Sequence, residues 1–264
     1  MRVSIAIETK DRRPGGQVNY LGMTLQNMRR SGIFESPHFD RLRIVSGGEQ
    51  ADFYEEEVMP YTNAEFYSCR EGCTRQQNGA RAIRLGAADT NADLVLKLED
   101  DLDFCADFLG STVRWFSELK GIRMCSLGGS FEIVEDSRYL EEGETILGPG
   151  KSFDKARQML SQGTTTVCQP IMGFWGAQAL LWPRDLAEQL ALWFGDDPNY
   201  NGCRDRAHDL MFHRWGQESG VAFFAVPVPS FVQHIGRQSG LANQFFEFAW
   251  PGREWSYKGK GILR

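Results

Sequence analysis

Residues 94–104 read LVLKLEDDLDF, an apolar run that closes abruptly in Glu99, Asp100 and Asp101. An apolar run of this length fits a strand covered on both faces, the kind found inside parallel sheets. Three adjacent carboxylates repel one another and lose hydration when enclosed, so a positive group is expected beside them. In open α/β sheets ligands gather at the carboxyl ends of parallel strands. The acidic triplet falls at such an end.

The flanking sequence repeats the α/β pattern. VSIAIET (3–9) is a second buried-strand run, and KDRRPGGQ after it is a loop by its proline and glycines. Leu21, Leu25 and Met28 have helical spacing within 19–30, and RLRIVSGG (41–48) reads as a strand. A helix is expected over 74–89, leading directly into the strand at 93–98. Another helix is expected over 106–119, then a strand in IRMCSLGGSF. The stretch 135–163, rich in Gly, Glu and Ser, reads as a long irregular insertion, and such loops tend to be functional. Helices over 184–194 and 204–218 and a strand in VAFFAVPVPS precede FVQHIGRQSG. Strand, loop, helix and strand in this order predict an α/β domain with a central, mostly parallel sheet flanked by helices.

Composition narrows the classes. The 264 residues can bury one large core, and 24% charged residues with 42% hydrophobic ones exclude a disordered chain. A net charge of -6 argues against a protein that coats nucleic acid. The six cysteines form no CxxC pair, so neither a structural zinc site nor a catalytic thiol is expected. Without a membrane-length apolar run or a signal-peptide core, the expected location is cytoplasmic.

Hard carboxylate oxygens at a strand end suit a divalent cation, Mn²⁺ or Mg²⁺, with a substrate diphosphate completing the shell. His234, in SFVQHIG, offers an imidazole ligand from far along the chain, and Arg237 opens a polar loop suited to phosphate oxygens. Asp209, on a helix after a glycine-rich segment, is the candidate general base for an acceptor hydroxyl.

The blocks IAIETKDR, RQQNGARAIRLGAADTNADLVLKLEDD, GFWGAQALLWPRDLAEQL, RDRAHDLMFHRW and VPSFVQHIGRQSGL, in this order, span nearly the whole chain. Their sequence resembles the metal-dependent glycosyltransferases of GT-A fold, specifically the N-acetylglucosaminyltransferase IV family that branches N-glycans. The resemblance implies one catalytic domain over 1–264: a nucleotide-sugar-binding half at 1–105, an acceptor and catalytic half at 106–236, and an aromatic tail at 237–264. It implies Asp101 and His234 as ligands of Mn²⁺, and Glu99 and Asp100 as partners of sugar or ribose hydroxyls. Glu8 and Thr9 would lie against uridine, Gln77 and Asn78 would seat the nucleotide sugar, and Asp209 would act as base. Glu8 departs from the family, which carries proline there.

The activity this implies is inverting transfer of a sugar from a UDP-sugar, UDP-N-acetylglucosamine before UDP-glucose. The acceptor hydroxyl would belong to a glycan, a small molecule or a hydroxylated DNA base of a bacterial or viral system. Two other classes share these features: a noncatalytic nucleotide-sugar or glycan-binding protein, and a metal-dependent nucleotidyltransferase or phosphoesterase.

Overall fold

A computed structural model describes residues 1–9, 19–47, 64–68, 75–128, 151–174, 178–195, 208–236 and 252–258. Its strands are β1 (Val3–Thr9), β2 (Phe39–Ser46), β3 (Ala64–Ser68), β4 (Leu94–Glu99), β5 (Leu102–Phe104), β6 (Cys125–Ser126), β7 (Thr166–Pro170), β8 (Ala179–Pro183), β9 (Phe223–Pro227) and β10 (Val232–His234). Its helices are α1 (Tyr20–Arg30), α2 (Arg75–Ala87), α3 (Phe108–Glu118), α4 (Lys151–Ser161), α5 (Arg184–Gly195) and α6 (His208–Ser219).

Eight strands form one sheet in the order β3-β2-β1-β4-β8-β6-β9-β7, and β5 and β10 form a separate antiparallel ribbon. β3, β2, β1 and β4 are mutually parallel, as are β6 and β9. β8 and β7 run against their neighbours. The sheet is therefore mostly parallel, as the sequence predicts, and β1 and β4 are buried along their whole length. Every strand residue there is enclosed because helices cover both faces.

Side-chain alternation divides the core in two. Val3, Ile5, Ile7, Leu94, Leu96 and Leu98 face α1, α3 and the ribbon. On the other face Val95, Leu180 and Trp182 pack against α2, α5 and α6, with Phe212 and Trp215 of α6 inserted. Gly86 lets α2 approach closely: a Cβ there would stand 2.9 Å from Val95 Cγ1 and 3.2 Å from Ala6 Cβ. The buried guanidinium of Arg43 on β2 donates to the carbonyls of Leu85 and Ala88, satisfying the end of α2, and pairs with Glu65 on β3.

Two expectations are corrected, and several strands were not foreseen. Residues 151–161 of the expected irregular insertion form α4, whose Ala156, Met159 and Leu160 pack at helical spacing on the second core; 135–150 lie outside the described residues. The helix expected over 204–218 is described over His208–Ser219, and 204–207 lie outside the described residues. β3, β5, β7, β8 and β10 have no counterpart among the expected strands. His234 does not follow a strand but is the last residue of one, β10.

The aromatic tail is part of the first core where it is described. Trp255 and Tyr257 pack on Phe231 with tilted rings, their centroids 5.7 and 5.9 Å away. Tyr257 donates through its hydroxyl to Glu118 at 2.6 Å, and Arg253 Nε donates to Asp103 Oδ2 at 2.6 Å. No helix among the described residues is long and apolar enough to cross a membrane.

Candidate functional site

The carboxyl ends of β1 and β4 lie side by side in parallel register, with Glu8 opposite Glu99. The chain leaves β4 through Asp100 and Asp101 and turns at once into β5. α1 braces this turn. The buried Thr24 hydroxyl donates to the Asp100 carbonyl at 2.7 Å and accepts from the Leu102 N–H at 2.9 Å. Asn27 Nδ2 donates to the Leu102 carbonyl at 3.0 Å. Backbone groups that would otherwise be buried without partners are thus satisfied by a helix whose polar residues face inward at one point only.

The remote imidazole arrives by β pairing. β10 runs antiparallel to β5, with His234 opposite Leu102, and the Ile235 N–H donates to the Asp101 carbonyl at 2.8 Å. His234 Nε2 stands 3.0 Å from Asp101 Oδ2, and both side chains are buried. Gly236 makes the approach possible. A Cβ at 236 would lie 2.3 Å from Asp101 Oδ2 and 3.0 Å from His234 Nε2.

As it stands the contact is a hydrogen bond between imidazole and carboxylate, and the same spacing is compatible with a shared divalent ion once the proton between them is displaced. Two ligand atoms at adjacent corners of an octahedral shell, with bonds of about 2.1 Å, stand about 3.0 Å apart. Among the described residues, no group of three or more His, Cys, Asp or Glu side chains is gathered closely enough to hold a metal alone. Asp101 and His234 would supply two ligands, an arrangement that leaves the remaining positions to diphosphate and water.

The other carboxylates are engaged differently. Asp100 Oδ2 accepts from the Thr9 hydroxyl at 2.6 Å, joining the first strand end to the acidic turn. Glu8 and Glu99 share Lys97, whose Nζ lies 3.0 Å from Glu8 Oε1 and 3.8 Å from Glu99 Oε1. Lys97 is wholly buried. The positive group that the triplet calls for is therefore already present inside β4, two residues before Glu99 and on the same face. Sequence reading passed over it, although period-two spacing of Lys and Glu in a buried strand was the available signal.

The remaining expected residues fare unevenly. Asn78, on α2, is buried and donates from Nδ2 to the carbonyls of Thr9 and Val45, both at 3.0 Å, so its amide group ties β1 to β2. Its amide oxygen has no hydrogen-bond partner among the described residues. Gln77 precedes it on α2 and is half-buried. Asp209 is the second residue of α6, with its side chain outside the described residues, as is the whole of Arg237.

No protein-family model matches this sequence, and no curated protein matches it. Among solved structures the chain is similar to a 4-diphosphocytidyl-2C-methyl-D-erythritol synthase from Anaerococcus prevotii DSM 20548, at 13% identity over 87% of this chain and 88% of that one, with a TM-score of 0.49. It is also similar to a CMP:2-keto-3-deoxy-manno-octonic acid synthetase complexed with CTP, at 10% identity, 86% and 89% coverage and a TM-score of 0.47. A mycobacterial protein is similar at 15% identity, 90% and 68% coverage and a TM-score of 0.45. Likenesses this slight carry no assignment of activity.

Proposed function

We propose that the chain is a metal-dependent transferase acting on a nucleotide-activated substrate, and specifically an inverting glycosyltransferase that uses a UDP-sugar. The observation that supports it is the 3.0 Å approach of Asp101 Oδ2 to His234 Nε2 at the carboxyl edge of the sheet. Mn²⁺ (or Mg²⁺) bound there would neutralise negative charge developing on a departing diphosphate. Asp100, held by Thr9, and Glu99, held by Lys97, offer fixed acceptors for ribose or sugar hydroxyls. Glu8, Gln77 and Asn78 border the nucleotide side, and Arg237 is assigned to the phosphates. Asp209 is assigned the proton of the attacking hydroxyl. UDP-N-acetylglucosamine is the first donor and UDP-glucose the second, both on the sequence resemblance to the N-acetylglucosaminyltransferase IV family. The acceptor is a hydroxyl of a glycan, a small molecule or a modified DNA base.

A second reading, nucleotidyl transfer, is favoured by one feature of sequence. Lys10, Arg12 and Arg13 with Gly15 and Gly16 follow directly on Thr9, and basic residues among glycines suit a triphosphate. The two readings differ in the bond that breaks. Glycosyl transfer releases a nucleoside diphosphate from the sugar carbon, and nucleotidyl transfer releases pyrophosphate from a nucleoside triphosphate.

The test is incubation with Mn²⁺ and separate panels of UDP-sugars and nucleoside triphosphates, with and without EDTA. EDTA-sensitive release of UDP supports glycosyl transfer. Pyrophosphate release without UDP release replaces it by the second reading, and turnover unaffected by EDTA contradicts both.

A further inference from the structure

The acidic corner contains a cation to which the proposed chemistry gives no part beyond its contact with Glu99. Lys97 has no exposed surface, and Glu8 and Glu99, on either side of its ammonium, are 6% and 8% exposed. The two glutamates face each other across the β1–β4 pair, and residue 97 shares their side of the sheet because side chains alternate along a strand. Two enclosed carboxylates in register need a positive charge between them. A divalent ion bridging them would add a second metal to the acidic corner. An ammonium is there instead, 3.0 and 3.8 Å from the two glutamate oxygens.

We propose that Lys97 is the resident second cation of this site: its ammonium occupies the space between Glu8 and Glu99 and offsets one of their two charges, so no divalent ion enters between them and the chain takes a single metal, at Asp101 and His234. The single-metal clause rests on the function proposed above; the exclusion of metal from the Glu8–Glu99 position stands independently. Lys97 is a positioning residue. It holds the Glu8 and Glu99 carboxyl groups in place without a metal, leaving their orientation unaffected by metal loading. A buried carboxylate at the end of β1, such as Glu8, is tolerated only with a cation beside it.

Mn²⁺ bound per chain, counted by equilibrium dialysis with UDP on both sides, tests this in the whole protein. One ion is expected in the wild type and in Glu8→Gln. Lys97→Met keeps the apolar stem and stops short of the ammonium, and it should bind one ion more than the wild type; the added ion should vanish in Lys97→Met/Glu8→Gln. A second ion in the wild type that is lost in Glu8→Gln overturns the assignment. So does a folded Lys97→Met with wild-type stoichiometry. Should Lys97→Met not fold, the wild type and Glu8→Gln decide the matter by themselves. Failure of the metal reading looks different: no ion binds to the wild type, while Lys97→Met still gains one.

Discussion

His234 Nε2 and Asp101 Oδ2 stand 3.0 Å apart although 133 positions separate them in the chain. The contact depends on two three-residue strands, β5 and β10, and on the absence of a side chain at Gly236. Shortening the imidazole or adding one carbon at 236 should therefore have similar consequences. His234→Ala and Gly236→Ala are each expected to weaken Mn²⁺ binding by about ten- to a hundredfold, as ligand and supporting substitutions at metal sites commonly do. Mn²⁺ titration in the presence of UDP reads the loss. Wild-type affinity in Gly236→Ala would mean that Asp101 does not need its present position.

Asp209 is assigned a proton, not a ligand. Asp209→Asn should leave Mn²⁺ and UDP binding unchanged while lowering the transfer rate by about a hundredfold or more, the usual scale for a lost general base. Calorimetric binding of UDP and a single-turnover assay separate the two. Normal turnover in the Asn variant removes the residue from the reaction.

Thr24 tests the brace beneath the site. Thr24→Val preserves shape but deprives the Asp100 carbonyl and the Leu102 N–H of their buried partner. The cost expected is about 1–3 kcal/mol. In a chain of this size each kcal/mol lowers the melting temperature by about 2–4 °C. Thermal unfolding measures it, and an unchanged midpoint would show that water replaces the hydroxyl at no cost.

The tail supplies a pH dependence. Burial, and the hydrogen bond that its hydroxyl donates to Glu118, push the Tyr257 phenol well above its ordinary value of 10.0. A group with a raised folded pKa contributes stability that is complete below the unfolded pKa and is lost as pH climbs through the folded one. The wild type should thus lose stability above pH 10 with an added slope of at most about 1.4 kcal/mol per pH unit. Tyr257→Phe should be less stable at neutral pH and lack that added slope. Urea unfolding at a series of alkaline pH values distinguishes them, and parallel curves would contradict the role given to the phenol.

Much of the fold is legible in the sequence because β1 and β4 are nearly continuous apolar runs, β2 ends in a β-branched pair before two glycines, and α1, α2 and α5 carry apolar residues at helical spacing. What was missed has a physical reason in each case. β3 is five half-buried residues of mixed polarity, held by pairing with β2. β5 and β10 are only three residues each and exist through pairing with one another, which local pattern does not encode. α4 was hidden by the Gly- and Ser-rich sequence before it. The acidic corner was legible as a charge cluster. Its division between Lys97 on one side and His234 on the other was not, since both partners are selected by register across strands.

The central claim is that Asp101 and His234 jointly hold one divalent ion. Anomalous scattering from crystals soaked with Mn²⁺ and UDP tests it most directly. A single manganese peak is expected within coordination distance of both Asp101 Oδ2 and His234 Nε2, with diphosphate oxygens completing its shell. A manganese peak bonded to neither residue, or to Glu8 and Glu99 instead, would contradict the account.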